Sequence, residues 1–293
     1  MPATAILGEQ WGDEGKGRFS DMLTAEAEFD AVARATGGPN AGHTIVLPNG
    51  EEFDFHGLPS GFAHDKLVKV IGNGTVIDPI KLYREITALI ERRVEIDEGR
   101  LLISSAAHLI TPFHIHKDEM REAGYEAQGS TKSGIAFAYA DKAERVGMRA
   151  ERFNNNTDGL AQHIAKGLEQ ANEELRKLNN QRVAEWLDPV RLYDVAAITD
   201  PYMSCADQLS GFVTDTTLYL NRLLRTGGKL LAEGAQAFGL DIDHGTYPEV
   251  VDTEEADNAL RSNLITTLAT VPLSSTRVST PSGNGSSSSS LTS

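Results

Sequence analysis

The stretch Gly8-Glu9-Gln10-Trp11-Gly12-Asp13-Glu14-Gly15-Lys16-Gly17 constrains this chain more than any other. It follows a short apolar run, Ala5-Ile6-Leu7, that reads as a first β-strand. It precedes Arg18-Phe19-Ser20-Asp21-Met22-Leu23, whose apolar spacing suits the first turns of a helix. Strand, glycine-rich turn and helix in that order aim backbone N–H groups and the positive end of a helix at an anion. Lys16 adds a mobile cation to the cradle, and Asp13 adds an oxygen ligand of the kind Mg²⁺ takes. The ordinary phosphate loop has a leading glycine and a Ser or Thr after the lysine; here Gln10 and Gly17 occupy those places. A carboxylate inside an anion cradle repels phosphate, so Asp13 is either bridged by a cation or engaged in proton transfer.

Composition narrows the setting. The chain has 293 residues, 40% of them hydrophobic and 24% charged, with no run long enough to span a bilayer. That is the size of one large domain or two ordinary ones. Met1-Pro2-Ala3-Thr4 leads straight into the first strand, and one cysteine, Cys205, fits a reducing compartment, so a cytoplasmic protein is expected. Cys205 is read as a small core residue without a chemical role. A net charge of −15 argues against a nucleic-acid partner, although a lysine, amides and Mg²⁺ reverse the field locally for a mononucleotide. No membrane partner is expected.

Along the chain, Phe29 to Arg34 reads as a second strand that runs into another glycine loop, Thr36-Gly37-Gly38-Pro39-Asn40-Ala41-Gly42-His43-Thr44. Two strands each ending in such a loop suggest two loops converging on one ligand at the carboxyl edge of a sheet. Ile45-Val46-Leu47 and Phe53-Asp54-Phe55, around Asn49-Gly50, form a hairpin pattern. Val68 to Ile71 and Leu101 to Ile103 read as strands, and Lys229 to Ala232 as a strand leading into Glu233-Gly234-Ala235-Gln236. Asp78-Pro79 opens a helix whose face continues through Ile80, Tyr83, Ile86 and Ile90 and closes at Arg92-Arg93. Residues 114–123 read as helix, 157–178 as a long amphipathic helix through Leu160, Ile164, Leu168, Ala171 and Leu175, and about 205–225 as another. Alternating strands and helices predict an α/β fold, a central mostly parallel sheet flanked by helices, as a variant of the P-loop NTPase type. Beyond Val251 the periodic signals weaken, and Pro281 to Ser293 is almost only Ser, Gly, Thr and Asn, a composition expected to be disordered. The expected organisation is a nucleotide-binding and catalytic domain over 1–250, a poorly patterned segment over 251–280 and a Ser-rich tail over 281–293.

With both glycine loops in view, the chain resembles the adenylosuccinate synthetase family. The resemblance rests on GEQWGDEGKGR (8–18), GGPNAGHTIV (37–46), IGNGTVIDP (71–79), GSTKSGIAFAYADKAER (129–145) and EGAQAFGLDIDHGTYP (233–248), in the family's order and at about its spacing. It implies an enzyme of purine nucleotide biosynthesis that joins L-aspartate to IMP while hydrolysing GTP, by way of a 6-phosphoryl intermediate. In that light Asp13 resembles the general base that deprotonates purine N1, and His43 the general acid at the γ-phosphoryl group. Mg²⁺ is implied on the Asp13 carboxylate and the Gly42 carbonyl. Gly12, Glu14, Gly15, Lys16, Gly17, Gly42 and Thr44 are implied around the nucleotide phosphates. Asn40, Ala41, Thr131, Arg145 and Gln236 are implied on IMP, Arg145 reaching the neighbouring subunit of a homodimer. Thr131 and Arg145 are ordinary surface residues by themselves; only the surrounding motif singles them out.

The pattern also breaks. Lys132-Ser133 stands where the family commonly has Gly-Arg, Ala136-Phe137 where it has Gly-Pro, and Val251 where it has a Thr. Beyond a faint echo in Ser275-Thr276-Arg277-Val278, the Thr- and Arg-rich aspartate loop and the guanine-reading Lys-x-Asp segment are absent, so the family's C-terminal part is expected to be missing, as from a truncated or frame-shifted reading frame. Two other readings accompany the ligase: a phage-type relative that condenses dGMP with aspartate, which Asp13 disfavours, and a nucleotide-binding chain without catalysis. His114, His116 and Asp118 imitate a metal site but are read as a solvated helix start. Asp241-Ile242-Asp243-His244 is read as support beneath the nucleotide pocket.

Overall fold

The computed structural model describes residues 3–9, 12, 14–26, 29–40, 42–46, 52–62, 64, 66–124, 130–241 and 277–279. Its centre is a sheet whose strand pairings among the described residues are all parallel. The strands are β1 (Ala3–Gly8), β2 (Ala31–Gly37), β5 (Val68–Ile77), β6 (Leu101–Ser104), β7 (His108–Leu109), β8 (Val213–Thr214), β9 (Leu230–Ala237) and β10 (Arg277–Ser279). Their order across the sheet is β10-β1-β9-β2-β5-β6-β8, with β7 continuing beside the end of β5. A separate antiparallel hairpin, β3 (His43–Val46) and β4 (Glu52–Phe55), rises from the end of β2, with His43 opposite Phe55. Its Asn49-Gly50 turn lies outside the described residues.

Seven helices among the described residues cover the sheet: α1 (Lys16–Glu26), α2 (Pro79–Glu91), α3 (Pro112–Glu122), α4 (Ile135–Glu144), α5 (Thr157–Ala184), α6 (Val195–Leu209) and α7 (Thr216–Arg225). Successive strand residues face opposite ways. Ala3, Ala31, Ala33, Val70, Leu102 and Leu230 pack towards Leu220 and Leu224 of α7. Their neighbours Ile6, Val32 and Leu231 face Phe19 and Leu23 of α1. On that same side Ile71, Leu101 and Ile103 meet Leu82 and Ile86 of α2, Leu160 and Ile164 of α5 and Tyr202 of α6. Burial on both faces is why these strands read as unbroken apolar runs instead of alternating ones.

Local chemistry explains the element ends. Asp78 caps α2, its carboxylate accepting from the N–H groups of Ile80 and Lys81 at 3.0 and 3.2 Å, with Pro79 preset for the first turn. The buried face of α2 is Leu82, Ile86 and Leu89; Ile90 is half exposed, so the face expected through Ile90 is turned by one position. The long helix α5 buries the expected Leu160, Ile164, Leu168, Ala171 and Leu175. The single helix expected over 205–225 is two. Helix α6 ends at Leu209, the chain crosses the sheet edge as β8, and Asp215 caps a fresh helix by accepting from the Leu218 N–H at 2.9 Å. Arg277 to Ser279, in a segment without strong strand signals, lies parallel to Thr4-Ala5-Ile6 at the sheet edge. No helix among the described residues is long and apolar enough to cross a membrane.

Candidate functional site

Parallel strands put their carboxyl ends on one edge, so the loops after β1, β2 and β9 leave the sheet side by side. Packing at two glycines shows how close they come. A Cβ on Gly8 would stand 2.7 Å from the Gln236 carbonyl and 2.9 Å from a Glu14 carboxylate oxygen. Gly37 has φ +93°, and a Cβ there would lie 2.4 Å from Ala235 Cβ. The end of β9 is therefore gripped between the two glycine loops, and both positions exclude side chains. Helix α1, which opens at Lys16, packs beside β3, which opens at His43.

Within the first loop Lys16 is buried. Its Nζ donates to the Gly12 carbonyl at 3.2 Å and to Glu14 Oε2 at 3.1 Å, while Glu14 Oε1 accepts from the Gly12 N–H at 3.3 Å. The mobile cation expected from the sequence is instead held by the loop's own carboxylate, because a buried ammonium needs a counter-charge. Glu14 thus sits on one amide and the one lysine of the cradle, the groups expected to meet phosphate. Gly15 makes the turn into α1, and Gly17 lies in its first turn. Asp13, Gln10, Trp11 and Ala41 lie outside the described residues, as do the side chains of His43 and Thr44.

In the second loop Gly42 is exposed, its N–H donating to the Asn40 carbonyl at 3.0 Å. The Asn40 Oδ1 is buried without a partner among the described residues, an acceptor open to a donor on a ligand. The loop abuts α4: a Cβ on Gly38 would meet the Ile135 side chain at 2.8 Å. The segment 130–134 that leads into α4 carries Thr131, which is exposed, and is held from two sides. Lys81 Nζ donates to Ser133 Oγ at 3.2 Å, and buried Asp118 accepts from Ser130 Oγ at 2.6 Å and the Gly134 N–H at 2.8 Å. Gln236 is buried on β9 next to Gly8's partner Ala237. Arg145 is not brought in. It caps the far end of α4, a ten-residue helix, roughly 15 Å along the axis from Ile135.

The reading of His114, His116 and Asp118 as a solvated helix start is overturned. All three are at most 1% exposed, and each has a different partner. His114 Nε2 meets Asp141 at 3.0 Å, His116 lies between Tyr193 and Glu174 at 3.2 Å each, and Asp118 also accepts from Arg121 at 3.0 Å. They are the polar joints of α3, not a converging ligand set. The His114 hydrogen bond holds the Asp141 carboxyl below the usual range. Asp241 is fully buried just beyond β9; residues 242–244 lie outside the described residues.

Three residues that no sequence motif singles out, Arg34, Glu85 and Tyr139, also hold the second loop. The Tyr139 hydroxyl donates to the Gly74 carbonyl at 2.7 Å and accepts from the Gly37 N–H at 3.1 Å, tying α4 to the second loop. Arg34 is a charge in the otherwise uncharged strand Ala31–Gly37, and that incongruity was the available signal.

A parallel sheet wound on both faces, with a strand–glycine loop–helix opening and a second glycine loop beside it, defines an α/β nucleotide-handling fold. The family model for adenylosuccinate synthetase matches residues 5–272. Adenylosuccinate synthetases of Rhodococcus jostii and Bifidobacterium adolescentis are each 42% identical over 255 residues, which is 86% of this chain and 56% of theirs. The fully ligated adenylosuccinate synthetase of Plasmodium falciparum superposes with a TM-score of 0.72 at 31% identity, covering 90% of this chain and 58% of that one. The succinoaminodeoxyadenylate synthetase of cyanophage S-2L, bound to dGMP and dATP, shares the fold with a TM-score of 0.59 at 23% identity. The chain belongs to the adenylosuccinate synthetase family, and it spans a little over half the length of the curated relatives it matches.

Proposed function

We propose that this chain carries the phosphoryl-transfer centre of an adenylosuccinate synthetase: a C–N ligase of purine biosynthesis that joins L-aspartate to IMP and converts GTP to GDP and phosphate. The observation that carries the reading is the seating of both glycine loops on the end of β9, which gives one ligand two backbone cradles. Asp13 takes the proton from purine N1, which makes the 6-oxygen nucleophilic. That oxygen forms a bond to the γ-phosphorus as the bond to GDP breaks, and His43 protonates the departing side. The aspartate amine then displaces phosphate at C6. A positioned acid or base contributes on the order of 10²–10⁴-fold in such steps.

Lys16 and the amides of residues 12–17 bind the triphosphate, with Gly42 and Thr44 on its other side; Asn40, Ala41, Thr131 and Gln236 bind IMP. Mg²⁺ fits the donors available, since Gly42 is exposed at the loop rim and offers, with Asp13, only hard oxygen ligands. The ion supplies charge neutralisation on the transferring group. Arg145, far from the other residues along α4, suits a contact made across a homodimer. Cytoplasmic location accords with the family's substrates.

The test uses the purified chain with Mg²⁺, aspartate, GTP or ATP, and IMP or dGMP, following phosphate release and product mass. Adenylosuccinate formed from IMP and lost in Asp13→Asn and His43→Ala supports the proposal. Product from dGMP alone favours the phage-type chemistry, and nucleotide binding without turnover in any mixture refutes catalysis by this chain.

A further inference from the structure

The buried cation Arg34 spends its donors on three backbone carbonyls. Its Nε donates to the Thr36 carbonyl at 3.4 Å, one terminal nitrogen to the Gly38 carbonyl at 2.8 Å, and the other to the His56 carbonyl at 2.5 Å. Thr36 and Gly38 lie where the chain leaves β2 for the second glycine loop. His56 lies where the chain returns from β4. One guanidinium therefore closes the root of the entire excursion that bears Asn40, Gly42 and His43. The planar five-donor fork is what makes this possible; an ammonium is a point donor and spans no such triangle.

A second group grips the same return point from outside. Glu85 on α2 accepts from the N–H groups of His56, Gly57 and Leu58 at 3.0 to 3.2 Å. His56 is thus held by its carbonyl from Arg34 and by its amide from Glu85, and one residue earlier Phe55 pairs with His43. Burial lowers the Arg34 pKa, opposed by Glu233 and Glu85 nearby.

We propose that Arg34 and Glu85 form a two-sided clamp on His56 that positions the β3–β4 excursion, and with it the backbone at His43, beside the start of α1. Both are positioning residues. The kinetic part of this inference rests on the function proposed above; the structural part does not.

The experiment compares the full chain with Arg34→Lys, Glu85→Gln and the double variant, first without substrate by hydrogen–deuterium exchange. The clamp predicts that peptides covering 43–46 and 52–58 exchange about tenfold faster in each variant, as expected for a lost charge-assisted hydrogen bond. Peptides of β5 and α5 keep their wild-type rates. Because both side chains act on one residue, the double variant is predicted to exchange no faster than the worse single one. Unchanged exchange in the excursion, faster exchange spread evenly over β5 and α5, or additive effects would each overturn the clamp. If Arg34→Lys does not fold, Glu85→Gln alone decides between local and spread loss. In turnover, kcat is predicted to fall about tenfold in either single variant with KM for GTP within about threefold, since the missing element is an aligned acid and not a binding contact. A raised KM at unchanged kcat would contradict the positioning role. A wild-type chain without turnover would sink the proposed function and leave the exchange result standing.

Discussion

At the scale of single residues, the Lys16–Glu14 pair decides how the cradle behaves when empty. Both side chains are less than a tenth exposed, at 5% and 8%, and each neutralises the other. Removing one partner of such a pair strands a buried charge, which costs about 3–5 kcal/mol, whereas removing both is close to neutral. Lys16→Met is therefore predicted to lower unfolding stability by about 3 kcal/mol, and Lys16→Met/Glu14→Gln to recover most of the loss, both read from urea midpoints. In the same two proteins the affinity for a triphosphate analogue, by calorimetry, is predicted to stay low, because neither restores the cation. Recovery of binding in the double variant would show that the lysine is not the phosphate's partner.

At the scale of elements, the grip of the two loops on β9 depends on glycine at position 37. Gly37→Ala forces a positive φ on a residue with a Cβ and drives that Cβ into Ala235. The predicted cost is about 1–3 kcal/mol, measured by urea unfolding, with a loss of IMP-dependent turnover larger than the stability change explains. Full activity in that variant would mean that the loops do not rely on their contact with β9. What the sequence disclosed at this scale follows from the range of the forces involved. The buried stripe of α5 was legible because one apolar face meets one core, although the helix runs on to Ala184, six residues past the expected 178, and the glycine loops were legible because they are built from backbone. Helices α6 and α7 merged into one expectation because both are amphipathic and only six residues, a 3-10 turn, the edge strand Val213–Thr214 and the cap Asp215, separate them. The burial of His114, His116 and Asp118 was illegible because their partners Asp141, Glu174 and Ser130 lie on other segments. Arg34 and Glu85 were hidden for the same reason: neither meets the second loop's return point until the hairpin has folded back.

At the scale of the whole molecule, the polar joints between layers set how stability follows pH. His108 on β7 is buried, and that burial, with Lys142 and Arg149 nearby, lowers its pKa from 6.5 to about 4. The unfolded chain therefore binds a proton in the window between about 6.5 and 4 that the folded chain refuses, so stability falls as pH falls through that window. Asp141, whose pKa is depressed by His114, adds a second loss below its unfolded value, in more acidic solution. Equilibrium unfolding at pH 7 and at pH 5 is predicted to differ, and His108→Gln is predicted to flatten the difference. An equal slope in wild type and variant would assign the acid sensitivity elsewhere.

The placing of β9 between β1 and β2 also has a bearing on how such a chain is made. Ala3 hydrogen-bonds alongside Leu230, and the other flank of β1 is taken by Arg277 to Ser279. At ribosomal speeds of about 5–20 residues per second, the leading strand waits roughly 10 to 45 s for its first lateral neighbour to be translated. Throughout that interval both edges of β1 lack the neighbours they have in the folded sheet.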